Sequence, residues 1–185
     1  MCRRPSWSTF CSAKSRTTRP TGSLTRMRIE SLSLSRTADV AALLELLDLY
    51  ARGPTGKGEG LSPAVLQRLP ESLRAMDHYR GWLAWDQQSA VGLLNGFVGL
   101  STFRAQPLLN IHDLCVRPGR ERQGIGRSLL AAAESWARSE GFCKLTLEVL
   151  EHHPSAVAAY QGSGFQAYTL SPELGRALFF EKWIL

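Results

Sequence analysis

The sequence predicts a single α/β domain of the α+β kind, a sheet of seven strands flanked by about four helices. Three observations predict it. Strand-period and helix-period segments alternate from residue 27 onward, and a glycine turn links an apolar strand to an amphipathic helix. The length, 185 residues, suffices for one sizeable core and is short for two ordinary domains.

Taken in order, Met27 to Leu34 reads as a first strand, and Thr37 opens a helix whose Val40, Leu43, Leu44 and Leu47 share a face. That helix ends before Gly53-Pro54. The stretch from Gly53 to Gly60 holds four glycines and a proline, the composition of a mobile loop, and Ser62-Pro63 starts a second helix to about Met76. Tyr79 to Trp85 and Ala90 to Thr102, joined by the polar turn Asp86 to Ser89, form an antiparallel hairpin. Leu108 to Val116 is a fourth strand, broken by Pro118-Gly119. Gly124 to Ser139 is a helix with Ile125, Leu129, Ala133 and Trp136 along one stripe. A fifth strand at Lys144 to Leu150, a helix near Pro154 to Gly162, and strands near Phe165 to Leu170 and Arg176 to Trp183 complete the chain.

The net charge of +6 suggests an acidic partner, but residues 1–26 hold Arg3, Arg4, Lys14, Arg16, Arg19 and Arg26 and no acid. The remaining 16 basic residues are balanced by 16 acidic ones, so the folding part has no excess charge with which to grip nucleic acid. Residues 1–26 are expected to be disordered. Their Arg- and Ser-rich composition is that of a transit peptide, or of sequence upstream of a true start at Met27, the reading preferred here; residues 27–185 form the domain. The longest apolar runs fall far short of the ~20 residues of a membrane span. Four cysteines at 2, 11, 115 and 143 make neither a disulfide framework nor a metal motif, which fits the cytoplasm, and His152-His153 lacks a third ligand for a metal.

The segment from Val116 to Leu130 carries the chemistry. Glycines at 124 and 126 let a backbone approach a ligand, and the amides opening a helix, with its positive dipole end, suit a diphosphate. Arg117, Arg120, Arg122 and Arg127 surround the turn with positive charge. It is not a P-loop, because Gly124 is followed by Ile125 and not lysine. Nor is it a dinucleotide fingerprint, because Leu129 stands where the third glycine would fall. A plain loop entering a helix, its arginines solvated, explains the turn alone equally well.

Three linked segments decide between these readings: IHDLCVRP at 111–118, the turn Gln123-Gly124-Ile125-Gly126, and PSAVAAYQGSGF at 154–165. In this order and spacing the chain resembles the GNAT superfamily of acetyl-CoA-dependent N-acetyltransferases, from about Arg28 to its end. The resemblance implies a mixed, mostly antiparallel seven-stranded sheet, splayed between its fourth and fifth strands. It also implies that acetyl-CoA is held by Leu114, Cys115 and Val116 on the fourth strand, and by Arg122, Gln123, Gly124, Ile125, Gly126, Arg127 and Ser128 at the turn. His153 and Tyr160 complete that set. The Leu114 amide would face the thioester oxygen, Val116 would pair with the pantetheine arm, and Tyr160 would protonate the leaving thiolate. Two positions depart from the family pattern. Glu121 replaces an Arg or Gln three residues before Gly124, and His153 replaces an Asn.

Acetyl transfer to an amine also needs a base, and the position carrying a glutamate base in some relatives corresponds to Asn110, which cannot accept a proton. His112, Asp113 and Glu148 are the polar residues of otherwise apolar strands, and with Tyr50 and Asn95 they are the candidate acceptor contacts. The partners implied are acetyl-CoA and an amine, with neither specific nucleic acid nor membrane; a homodimer is left open. The competing functions are a catalytically weak acyl-CoA sensor, a protein lysine or N-terminal acetyltransferase, and a nonspecific nucleic-acid binder acting through the basic leader.

Overall fold

The structure, a computed structural model, describes residues 27–169, 171, 173, 175 and 177–184. The expected leader at 1–26 lies outside the described residues. The elements follow the expected order: β1 (Arg28–Ser31), α1 (Thr37–Arg52), α2 (Pro63–Arg74), β2 (Tyr79–Asp86), β3 (Ser89–Ser101), β4 (Gln106–Val116), α3 (Ile125–Ser139), β5 (Lys144–Leu147) and α4 (Pro154–Gln161).

Five strands form one sheet in sequential order, the first four antiparallel and β5 parallel to β4. The expectation of seven strands is therefore corrected to five among the described residues. The predicted strand at 144–150 ends at Leu147, and described residues past Phe165 join no strand; Leu170 and Arg176, at the edges of the predicted sixth and seventh, lie outside the described set. An apolar sequence supplies a face, but a strand also needs an edge to pair with, and β5 offers only four residues of edge. Leu178, Phe179, Phe180, Trp183 and Ile184 are correspondingly exposed.

Each face of the sheet carries its own core. On one, α3 inserts Ile125, Leu129, Leu130 and Ala133 against Trp82, Ala84, Val91, Leu94, Leu109 and Ile111. The alanines of α3 let it lie close to the strands, and Gly92 makes room: a Cβ there would come within 2.7 Å of Ile125 Cγ2. On the other, α1 and α2 contribute Ala42, Leu43, Leu46 and Leu73 against Tyr79, Leu83, Leu93 and Cys115. The buried stripe of α1 is thus rotated from the expected one. Leu43 is fully buried and Leu47 packs at the margin, while Val40 and Leu44 are only partly covered.

Two ion pairs tie the site's elements together. Arg117 reaches Glu45 of α1 at 2.8 Å and donates from Nε to the Ala90 carbonyl. Arg120 reaches Asp86 at the end of β2 at 2.8 Å. No helix among the described residues is long and apolar enough to cross a membrane.

Candidate active site

The site begins with a register. β5 pairs with β4 from Leu108↔Lys144 to Ile111↔Leu147 and stops, while β4 runs on to Val116. Arg117 N–H donates to Val91 O, so by the two-residue alternation of an antiparallel ladder Cys115 turns its backbone groups toward β3. Leu114 and Val116 turn theirs the other way, where β5 has already ended. The sheet therefore forks beyond Ile111, with the outward backbone of Leu114 and Val116 along one arm.

A bulge determines which side chains face the fork. Asn95 pairs with Asp113 and Gly96 with Ile111, so His112 is an extra residue in β4. Leu109 and Ile111 belong to the α3-side core, whereas Cys115 belongs to the α1-side core and Asp113 bonds Asn95. One inserted residue turns the odd positions of β4 from one face to the other. His112 is exposed, its ring 5.7 Å from that of Phe97.

Past Val116 the chain turns through Gly119 and reaches Gly124 at φ +80°, a left-handed conformation that favours glycine. Gly124 caps α3 with no side-chain cap, and Ser128 N–H is the first to bond back, to Gly124 O. The amides of Ile125, Gly126 and Arg127 therefore open the helix without an intrahelical acceptor. Gly126 is roomy, since a Cβ there would touch only Val116 Cγ2 at 3.9 Å and Leu114 Cδ2 at 4.0 Å.

The expected ring of four arginines is corrected. Arg117 is engaged by Glu45, and Arg120 is held by Asp86 and by the Gln123 side-chain oxygen at 3.1 Å, so both brace the loop. Arg122 and Arg127 make no salt bridge among the described residues. Glu121 turns back on its own loop, Oε2 accepting from Gly119 N–H at 2.9 Å, which relieves an otherwise open amide.

A cavity of about 310 Å³ opens between α1 and the fork, lined by Tyr50, Leu114, Cys115, Val116, Glu121 and His153, among others. His153 is first a helix cap, its Nδ1 accepting from Ala156 N–H at 3.4 Å. Tyr160 lies half-buried against the α3-side core, its ring 6.0 Å from Phe165. Burial pushes its phenol above the ordinary tyrosine value, and the nearby Tyr50 adds to that. Tyr50 packs with the α1-side core, so the two phenols approach from opposite faces of the sheet, as the fork allows. Burial also raises Tyr50, with Asp113 and Cys115 contributing, and Thr55 hydrogen bonds it. Burial, then Asp113, pushes the Cys115 thiol up to about 12, so it stays a neutral wall residue.

Of the candidate acceptor contacts, Asn95 and Asp113 are joined by a 3.0 Å hydrogen bond, and Tyr50 stands in their field. Glu148 lies apart, exposed just beyond β5, accepting from Asn110 Nδ2 at 3.3 Å, and Asn110 also donates to Thr146 at 3.1 Å. Tyr79 was not foreseen: its hydroxyl donates to Asn95 Oδ1 at 2.8 Å. Two polar groups in neighbouring apolar strands were the available signal, but register alone makes them meet.

A sheet forked at its fourth strand over a glycine-capped helix defines a GNAT-type acetyltransferase fold. Residues 43–165 match the acetyltransferase (GNAT) family, and the chain belongs to it. Over 76 residues it is 40% identical to a streptothricin acetyltransferase of Streptomyces lavendulae, a stretch covering 41% of this chain and 40% of that protein. Over 86 residues it is 31% identical to human N-acetyltransferase 8, covering 46% and 37% of the two chains. The matches thus span well under half of either relative. Among solved structures, an aminoglycoside acetyltransferase from an uncultured soil metagenomic sample superposes with a TM-score of 0.71 at 21% identity, over 86% of this chain and 97% of that one. The aminoglycoside N-acetyltransferase AAC(6')-Iy, in complex with CoA, does so at 0.64 and 16%, over 89% and 99%.

Proposed function

We propose that this protein is an N-acetyltransferase that moves the acetyl group of acetyl-CoA to an amine of a small molecule by direct attack in a ternary complex. The observation that carries the reading is the fork: beyond Ile111 the outward backbone of Leu114 and Val116 runs beside the open amides of α3. The relatives named for streptothricin and aminoglycosides support a small-molecule acceptor.

The residues present fit such a donor. A diphosphate suits the amides of Ile125, Gly126 and Arg127, which the conformation of Gly124 aims outward and which the helix dipole reinforces. Arg122 and Arg127 are the cations left near them, and an amide-bearing arm can pair with the Val116 backbone as an added strand would. When bound, the thioester supplies the acetyl group. The outward Leu114 N–H is the group assigned to polarise the thioester carbonyl. Tyr160, whose phenol burial holds above the ordinary tyrosine value, is the acid for the leaving sulfur. Burial raises the Cys115 thiol and its Sγ–H donates to the Leu46 carbonyl at 3.7 Å, which favours direct attack over an acetyl-cysteine.

The test is incubation of the full chain with acetyl-CoA and a mixed panel of small amines and lysine peptides, following free thiol. Thiol release that depends on a small amine is the expected result. Tight CoA binding without amine-dependent release would make the protein an acyl-CoA sensor and overturn the proposal.

A further inference from the structure

Tyr79, Asn95 and Asp113 form a three-residue chain across β2, β3 and β4. Asn95 is 3% exposed and Tyr79 7%, so both are sealed in the α1-side core, while Asp113 at the end is only partly covered. Chemistry fixes the direction of the chain. A carboxylate only accepts, so the Asn95 amide nitrogen faces Asp113 Oδ2 at 3.0 Å, and its oxygen is left for the Tyr79 hydroxyl at 2.8 Å. Burial, with Asp113 second, raises the Tyr79 phenol far above its ordinary value, so it remains a donor throughout the working range. A buried amide held at both ends has one orientation, and it holds the carboxylate in one orientation.

The groups facing Asp113 are Tyr50 from α1, Tyr79 from β2, Asn95 from β3 and Cys115 from its own strand. None is a cation, and Asp113 makes no salt bridge among the described residues. A partly buried carboxylate without a counter-ion is costly unless a ligand supplies one. Asp113 also directly precedes Leu114, whose outward N–H is the one assigned to the thioester.

Resting on the proposed acetyltransfer, we infer that Asp113 receives the acceptor as an ammonium and takes its proton, that Tyr79 and Asn95 are the positioning residues, and that the acceptors are accordingly aliphatic amines. One N–H bond of the ammonium breaks and the proton passes to Asp113. The freed nitrogen pair attacks the thioester carbonyl carbon, the C–N bond forms and the C–S bond breaks. The thiolate takes the proton of Tyr160. The nitrogen's second proton restores Tyr160, and the proton on Asp113 leaves to solvent.

The test compares full-length wild type with Asp113→Asn, Tyr79→Phe and Asn95→Leu, first for CoA affinity, then for kcat/KM against pH with an aliphatic amine and an arylamine. Wild type inactive with every amine would overturn the underlying acetyltransferase reading; active wild type isolates the role of Asp113. The Asp113→Asn change is expected to leave CoA affinity within about twofold, lower aliphatic-amine kcat/KM by about 100-fold or more, abolish the acidic limb of the pH profile, and reduce the preference for aliphatic over aryl amines. Tyr79→Phe and Asn95→Leu are expected to shift that limb and lower kcat more than they raise KM. In the absence of donor, the Asn95 side-chain amide resonances of wild type should move on adding putrescine, and should not in Asp113→Asn. An acidic limb retained in Asp113→Asn with kcat/KM within about threefold of wild type would overturn the inference, as would variants of Tyr79 and Asn95 that change thermal stability but not the limb.

Discussion

Gly124 and Gly126 stand two residues apart in the same turn, and replacing each by alanine should move stability in opposite directions. At Gly124 an added Cβ meets nothing within 4 Å, so sterics outside the residue play no part. Its φ of +80° decides the outcome, since an L-residue in the left-handed region costs roughly 1–2 kcal/mol. Gly126 lies within α3 at an ordinary helical φ and its Cβ would make only ordinary contacts, at 3.9 and 4.0 Å. Removing a helical glycine there should gain roughly 0.5–1 kcal/mol. The two variants should therefore differ by about 2 kcal/mol in denaturant unfolding, or on the order of 4–8 °C in Tm for a chain of this size. Titration calorimetry with CoA supplies the second readout. Gly124→Ala should weaken binding by about tenfold or more, near 1.4 kcal/mol, because relieving its strain rotates the amides of Ile125 and Gly126 away from the ligand. Gly126→Ala should bind within a few-fold of wild type. Equal stabilities, or tighter CoA binding by Gly124→Ala than by Gly126→Ala, would refute the role given to the left-handed cap.

Tyr160→Phe should keep CoA affinity and lower kcat about 10- to 100-fold when chemistry limits turnover; unchanged single-turnover rates would remove Tyr160 as the acid. Tyr50, Tyr79 and Tyr160 all titrate above the ordinary tyrosine value in the native state, chiefly through burial. The native protein thus keeps these protons where the unfolded chain gives them up, so stability is intact below pH ~10 and falls above it. Urea unfolding between pH 8 and 11 checks this, and stability rising across pH 10 would contradict it. Glu121→Gln removes an anion from the cavity wall and should tighten CoA binding about two- to fivefold at low salt, the scale of an exposed charge, and less at high salt; weaker binding would mean the Gly119 cap matters more than the charge. Cys115→Ala should retain turnover within a few-fold, and mass spectrometry after mixing with acetyl-CoA should find no acetyl group on Cys115, a result that an acetyl-cysteine would overturn.

What the sequence shows of this fold is what period and punctuation can carry. The stripe Ile125, Leu129, Ala133 and Trp136 forecast the face of α3 that packs on the sheet, and Gly124 marks its start. The end of β5 was not legible, because Glu148, Val149 and Leu150 continue a plausible strand pattern while the ladder stops at Leu147. Nor could sequence tell which arginines face a ligand. Arg117 and Arg120 look like Arg122 and Arg127 until tertiary contact brings Glu45 and Asp86 to them.

The least legible feature is the one on which both halves of the site depend. Alternation read straight through β4 places Leu109, Ile111, Asp113 and Cys115 on one face, burying Asp113 in the α3-side core. The extra residue His112, accommodated where Gly96 lets β3 pass within close reach of Leu109 and the Asn110 carbonyl, turns Asp113 to the α1 face. The same parity change puts Leu114 and Val116 on the α3 side while their backbone groups face away from β3. A single insertion thereby sets on the α1 face the carboxylate proposed to receive the acceptor, and on the next residue the free amide proposed to hold the donor carbonyl. A ladder without the bulge, in which His112 rather than Asp113 stood opposite Asn95, would return Asp113 to the α3 face and should abolish amine-dependent turnover even where the sheet still folds.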